Sequence, residues 1–436
     1  MQPPPAAPQL LPLPTKVTPP PTERAADRDA TVRLSIDQIV NAVLVGDPKL
    51  RAGFEAINQA NADALTASLR PNPTLMTDAL MLPLTRPFTP DQQGGPPQQD
   101  AQVTFPIDWY VFGKRAAAMA AARLGVRVSE ADFADQVRLR VNEATLAYYD
   151  VLEAKGLLDL AKQDVENLAR AEDITRRAVE GGGRARVDLD RVRLDLLKSR
   201  QAARDAETVL VTAKAKLRAM IGRAESDPAF DVAGTLDARL TAEPPPVEEA
   251  FALATKNRPD LNSLQWQVAQ NRANVESERR KAYPDLAPML GYTHQYQRTT
   301  IGFPDADSWN VGVTMSLPVF NRNQGNRAKA ASTVAQKGFE YQAALANLRA
   351  DVETVAQEYR AARANAEAIA GEQLALAAQY RDTIDKAFAA GGQTLLALLD
   401  AQRNYRETYR AYVTARAAYW RAVTRYASVI GQQITK

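Results

Sequence analysis

The sequence predicts a mostly helical α+β membrane protein, with a few strands set on a rod of very long helices and the whole plan present twice. Three observations predict it. Proline-free helical stretches exceed 60 residues, short runs alternate strictly between apolar and polar, and matching residues recur at an offset close to 210.

The recurrence sets the organisation. Asp47-Pro48 with Leu50 corresponds to Arg258-Pro259 with Leu261, Pro73 to Pro284, and Pro106, Gly113 and Arg115 to Pro318, Gly325 and Arg327. Gly183 corresponds to Gly392, and Met220-Ile221-Gly222 to Val429-Ile430-Gly431. The chain then divides into a proline-rich arm over 1–34, a first repeat over 35–222, a connector over 223–246 and a second repeat over 247–431. Nine prolines within the first 21 positions describe an extended arm, either a linker or the mature start of an exported protein.

Each repeat opens with a helical stretch of about 35 residues, over 35–70 and 247–282, stopped by proline. The long helices follow the strands, over 115–180 and 327–390. At 1.5 Å per residue each reaches ~100 Å, beyond any ordinary globular core. Glycine clusters break them at the turns 181–190 and 391–400, and return helices over 187–221 and 394–430 close the repeats. Tyr405, Tyr412, Tyr419 and Tyr426, seven apart, read as helix-packing core.

Strands are expected over 74–84, 101–109, 286–297 and 308–318. In the last, Trp309, Val311, Val313, Met315 and Leu317 alternate with Asn310, Gly312, Thr314 and Ser316. Nine residues match both a half-buried strand and a tilted transmembrane one. The apolar row is assigned to lipid and the small polar row to a water-filled lumen. The bland alternative is a soluble sandwich. Four strands cannot close a barrel, and open edges are not tolerated in hydrocarbon. Three chains supply twelve strands, the smallest number that leaves a lumen.

Composition removes several functions. With 54 basic against 51 acidic residues there is no basic stripe for nucleic acid. Cysteine is absent, which excludes disulfides, thiol catalysis and cysteine-based zinc sites. The single histidine, His294, sits in a strand without a catalytic partner, and Gly181-Gly182-Gly183 follows a helix, the wrong context for a phosphate loop. No enzyme, cofactor or metal site is expected. No apolar run is long enough for a transmembrane helix.

The repeat plan, Phe105-Pro106-Ile107-Asp108-Trp109 followed by Phe112-Gly113-Lys114-Arg115, and Ser316-Leu317-Pro318-Val319-Phe320-Asn321-Arg322-Asn323-Gln324-Gly325-Asn326 resemble the TolC-type outer membrane efflux proteins, closest to their heavy-metal (cobalt-zinc-cadmium) branch. The resemblance covers 32–432. It implies a homotrimer in the outer membrane of a Gram-negative bacterium, with a twelve-stranded β-barrel in lipid and an α-helical barrel in the periplasm. It also implies an equatorial region around 223–246, a periplasmic adaptor and an inner-membrane pump. Such a duct conducts its cargo passively, here expected to be heavy-metal cations. A drug or secretion duct of the same fold, or a soluble coiled-coil adaptor, are the alternatives.

By the same resemblance the tips that dock the adaptor are Gly181, Gly182, Gly183 and Arg184, with Gly391, Gly392 and Gln393. Plain helix capping is the competing reading of these glycines. Family members narrow the tunnel with acids at the second tip. Here Asp400 matches, Ala397 replaces the other acid, and Asp188 occupies the position equivalent to Ala397 in the first tip. Asp400 and Asp188 are therefore the expected gate, against a solvated carboxylate in a helix's first turn. Many relatives carry a lipid on an N-terminal cysteine, for which this sequence offers no residue.

Overall fold

The computed structural model describes residues 32–432, apart from 93, 225, 226, 228, 241 and 242. The arm expected over 1–34 thus lies outside the described residues except for its last three. Those three form strand β1 (Val32–Leu34), followed by α1 (Ile36–Gly46), α2 (Pro48–Ser68), β2 (Thr74–Leu80), β3 (Gln98–Thr104), a single turn α3 (Asp108–Val111), α4 (Lys114–Glu180) and α5 (Arg186–Met220). After β4 (Phe230–Val232) come α6 (Val247–Asn257), α7 (Pro259–Arg280), β5 (Leu286–Gln295), β6 (Ala306–Met315), α8 (Gln324–Ala368), α9 (Leu374–Ala389) and α10 (Leu395–Val429).

Several boundaries differ from the sequence expectation, each for a physical reason. The opening helices over 35–70 and 247–282 are each two helices. Pro48 and Pro259 occupy the first helical position of α2 and α7, and proline has no N–H to continue the preceding helix. Asp47 and Arg258 are extended in consequence. The long helix expected over 327–390 is interrupted at Ile369–Gln373 by a π-turn.

Among the strands, 74–84 shortens to β2 because Met81 takes a positive φ of 55°. The strand expected over 101–109 shifts to β3. Pro106 removes a ladder donor and Asp108–Val111 turns helical, so Trp109 leaves the sheet. In exchange, polar Gln98 to Asp100 are drawn in by pairing on both sides. β5 stops at Gln295, where the chain folds back through Gln297 N–H to Gln295 O. β6 ends at Met315 because the chain turns tightly between Leu317 O and Val319 N–H before Pro318 can extend it.

The helices pack lengthwise, α4 lying against α2, α5, α7 and α10, and α8 against α7 and α10. The largest core forms at the waist of this rod. Ile39 and Val43 of α1, Val151 of α4, Leu217 of α5, Val232 of β4 and Tyr419 of α10 are fully buried there. The connector is bound into that core. β1 pairs in parallel with β4, and Arg416, only 6% exposed, donates to Leu236 O at 2.9 Å and Ala238 O at 2.5 Å. Trp420 Nε1 also donates to Leu236 O (3.1 Å), and the Tyr148 hydroxyl to Ala233 O (2.5 Å). These bonds satisfy loop carbonyls that burial would otherwise leave unpaired.

Asp231 in β4 accepts from Lys155 at 2.7 Å and pairs with Lys214 at 3.0 Å, tying the connector to α4 and α5. Partial burial pushes this carboxyl up, but the two ammonium groups outweigh burial and hold it at about 2. A folded pKa below the unfolded value contributes stability above about pH 4 and loses it as pH falls towards 2. Asp231→Asn is expected to cost about 1–2 kcal/mol at pH 7. It should also flatten the loss of melting temperature between pH 4 and 2, read by thermal unfolding of the detergent-solubilised protein.

Candidate functional site

Two places in the molecule have the geometry of a function: the sheet at one end of the rod and the paired turns at the other. The sheet runs β2-β3-β5-β6, antiparallel throughout, with unpaired outer edges on β2 and β6. Its register sorts the side chains. Pairing Leu75 with Val103, Val103 with Leu290, Leu290 with Val311, and Tyr292 with Trp309 gathers most of the apolar residues on one face, with Met76, Leu80 and Met289 on the other. The other face holds Asp78 opposite Asp100, Gln102 opposite Gly291, Gly291 opposite Asn310, and Met289 opposite Gly312.

The burial of these faces is the reverse of a soluble protein's. Val311 is 80% exposed and Trp309 73%, and Val313, Met315 and Leu317 are exposed with them. On the polar face Thr293 and Gly291 are buried, Asn310 and Gly312 half-buried, and Thr314 and Ser316 exposed towards the sheet's end. Space is short on that face. A Cβ on Gly291 would meet the Asn310 side chain at 2.2 Å, and one on Gly312 the Met289 methyl at 2.3 Å. The two glycines thus let the Asn310 and Met289 side chains lie across the polar face, which is crowded where the apolar one is open.

At the far end the turns after α4 and α9 are built alike. Gly183 N–H reaches Ala178 O at 2.8 Å and Gly182 N–H reaches Val179 O at 3.0 Å. Gly392 N–H reaches Ala387 O at 2.8 Å and Gly391 N–H reaches Phe388 O at 3.0 Å. Both are Schellman turns, with Gly182 (φ 75°) and Gly391 (φ 76°) in the left-handed region. Gly181, Gly183 and Gly392 need no such freedom, and their surfaces are open.

The structure brings the two turns together. The guanidinium of Arg184 lies 4.4 Å from the centre of the Phe388 ring and donates to Gln393 O at 3.5 Å. Beneath it Ala171, Val192, Phe388, Leu395 and Leu398 form a small core shared by α4, α5, α9 and α10. Sequence reasoning missed Phe388, whose one signal was a lone aromatic just before the second glycine pair. Asp188 is half-buried in the first turn of α5. Asp400 is exposed, accepts from Asn404 at 3.3 Å, and lies in the second turn of α10. It is not a first-turn carboxylate, since Thr394 caps that turn by accepting from Ala397 N–H.

Among the described residues no cluster of three or more His, Asp or Glu is spaced to hold a metal, and no helix is long and apolar enough to cross a membrane.

The sequence profile described as "Outer membrane efflux protein" matches residues 39–223 and 251–432. The chain belongs to this family. As an outer membrane efflux protein it is a transport channel and not an enzyme, located in the outer membrane with its helical part in the periplasm. It is similar to the cobalt-zinc-cadmium resistance protein CzcC of Cupriavidus metallidurans, 25% identical over 409 residues, spanning 93% of this chain and 92% of that protein. It is also similar to the nickel-cobalt-cadmium resistance protein NccC of Alcaligenes xylosoxydans xylosoxydans, 28% identical over 325 residues, spanning 73% and 66% respectively. The solved structure of CusC shares the fold, with a TM-score of 0.73 at 17% identity, over 92% of this efflux protein and 94% of CusC.

The tip glycines separate by backbone need. Gly182→Ala and Gly391→Ala are each expected to cost about 1 kcal/mol through the strained φ, whereas Gly183→Ala should leave the melting temperature of the purified efflux protein unchanged.

Proposed function

We propose that three copies of this chain form an outer-membrane duct that receives heavy-metal cations from a periplasmic adaptor and an inner-membrane pump and conducts them passively outward. The inverted sheet carries the reading. An apolar face this exposed is stable in contact with hydrocarbon, and the free edges of β2 and β6 demand partners because unpaired backbone groups in lipid cost several kcal/mol each. Pairing β6 of one copy with β2 of the next satisfies both edges at once. Twelve strands then enclose the polar row of Asn310, Gly312, Thr314 and Ser316 as the lumen wall.

The chain is further read as a duplication, 35–222 and 247–431, with 223–246 forming an equatorial connector. The corresponding prolines at the starts of α2 and α7 and the twin glycine turns support this. The turns present Gly181 to Arg184 and Gly391 to Gln393 as the adaptor's docking surface. Their open glycine surfaces suit a close helical approach. Metal cargo is supported by the similarity to a cobalt-zinc-cadmium resistance protein and a nickel-cobalt-cadmium resistance protein.

Three Asp400 side chains, one per copy, are proposed to ring the tunnel entrance, with Asp188 of the neighbouring turn beside them. Carboxylates gathered on a threefold axis concentrate cations. Asp400→Ala should weaken block of single-channel current by multivalent cations roughly tenfold. Unchanged block in planar bilayers removes the gate.

The membrane assignment has its own measurement. Val313→Arg should prevent insertion, at about 2–4 kcal/mol per chain for a cation near the bilayer midplane, while Thr314→Arg should insert and alter conductance. Native mass spectrometry in detergent is expected to give three copies. A monomer that stays folded in water without detergent ends the duct reading. Loss of cobalt, zinc and cadmium tolerance in a deletion strain, with tolerance of dyes and antibiotics retained, tests the cargo.

A further inference from the structure

The apolar row continues past the last ladder pairs. Phe105 N–H still reaches Pro288 O at 2.9 Å, and on the other flank the row runs to Leu317. Beyond them Tyr110 is 77% and Phe320 92% exposed, with exposed Val111 and Val319 beside them. Aromatic side chains with nothing over them, just past the ends of membrane strands, stand at headgroup depth. Because the helices are periplasmic, this junction faces the inner leaflet of the outer membrane.

A cationic layer adjoins the aromatics. The stretches 105–115, 276–285 and 316–329, together with Arg70, carry nine basic side chains against four acidic ones. All four acids are engaged: Asp108 and Asp285 by Lys114 at 2.9 and 2.7 Å, Glu276 by Arg280 at 2.8 Å, and Glu278 by Lys281 at 2.7 Å. Among the described residues Arg70, Arg115, Arg322, Arg327 and Lys329 have no carboxylate within 4.0 Å.

Two of these cations are held together. The guanidinium carbons of Arg70 and Arg115 each lie 5.4 Å from the centre of the Trp109 ring. Trp109 is itself fixed by donating Nε1 to Pro106 O at 2.9 Å, and Arg115 by donating Nε to Ser68 O at 2.5 Å. Like charges gathered on one aromatic ring, with no carboxylate of the described residues paired to them, leave N–H forks shaped for phosphate.

We infer that this junction is a binding surface for anionic phospholipid of the periplasm-facing leaflet, with Arg70 and Arg115 on Trp109 clasping the headgroup phosphodiester and Tyr110 and Phe320 lying among the glycerol and upper acyl chains. The inference depends on the outer-membrane location and not on the channel's cargo.

The test titrates the full-length protein in detergent with phosphatidylglycerol and, in parallel, with phosphatidylcholine and soluble glycerol phosphate, reading bound lipid by native mass spectrometry. Phosphatidylglycerol is expected to bind roughly tenfold tighter than phosphatidylcholine. Arg70→Gln with Arg115→Gln should abolish most of that preference. Arg322→Gln with Arg327→Gln, on exposed side chains that hold nothing in the fold, should reduce it and serves if the first pair fails to assemble. Equal binding of the two lipids by the unaltered protein, or a preference that survives both double variants, overturns the inference. So does displacement of phosphatidylglycerol by an equal concentration of glycerol phosphate, which would describe a site for soluble anions.

Discussion

In hydrocarbon every backbone N–H and C=O must find its partner within protein, and the four-stranded sheet of this outer membrane channel leaves the groups along two edges open. That requirement links its other unusual features. A sheet with an apolar face turned out and a polar face curled in would aggregate in water, and as an isolated sheet it would fail in lipid. The proposed association of copies pairs the open edges, and lipid covers the apolar face. The strands can therefore be polar where they face inward without lacking a hydrophobic driving force, because lipid supplies it from outside.

The helices face a different problem. A helix of 67 residues cannot bury its length in a globular core, so stability has to be gathered at a few levels along the rod. The waist is the densest of these. There the connector lies across α4 and α10, and one buried guanidinium, that of Arg416, satisfies two of its carbonyls. Nearer the tips the packing thins to a small cluster of five buried residues and an arginine laid on Phe388. The ends proposed to dock the adaptor are thus held by far less than the waist.

Much of this was legible in the sequence. Proline and glycine act through their own covalent geometry, so the ends of the long helices at Gly181 and Gly391 could be read directly. The alternation from Trp309 to Leu317 needed no tertiary information either, since a period of two separates faces wherever the strand sits. The breaks at Asp47-Pro48 and Arg258-Pro259 carry the same kind of signal, but a helical pattern that continues on both sides of each proline hides them. The misplaced strands had a different cause. Gln98 to Asp100 have poor strand propensity and enter the sheet only because β2 and β5 pair with them on both sides. β1 and β4, three residues each, are too short for any pattern to show.

From sequence alone come the rod of long helices, the two turn positions and the assignment of an apolar row and a polar row to opposite faces of a strand, because each depends on neighbours a few residues apart. Tertiary structure alone decided that the crowded side of the sheet is the polar one, that the connector is gripped by Arg416, that Arg184 joins the two tips through Phe388, and that Trp109 leaves the sheet for a pair of arginines. Apart from the local turn at Pro106 that frees Trp109, those outcomes depend on contacts between residues separated by tens to hundreds of positions. Local spacing carries no record of such contacts.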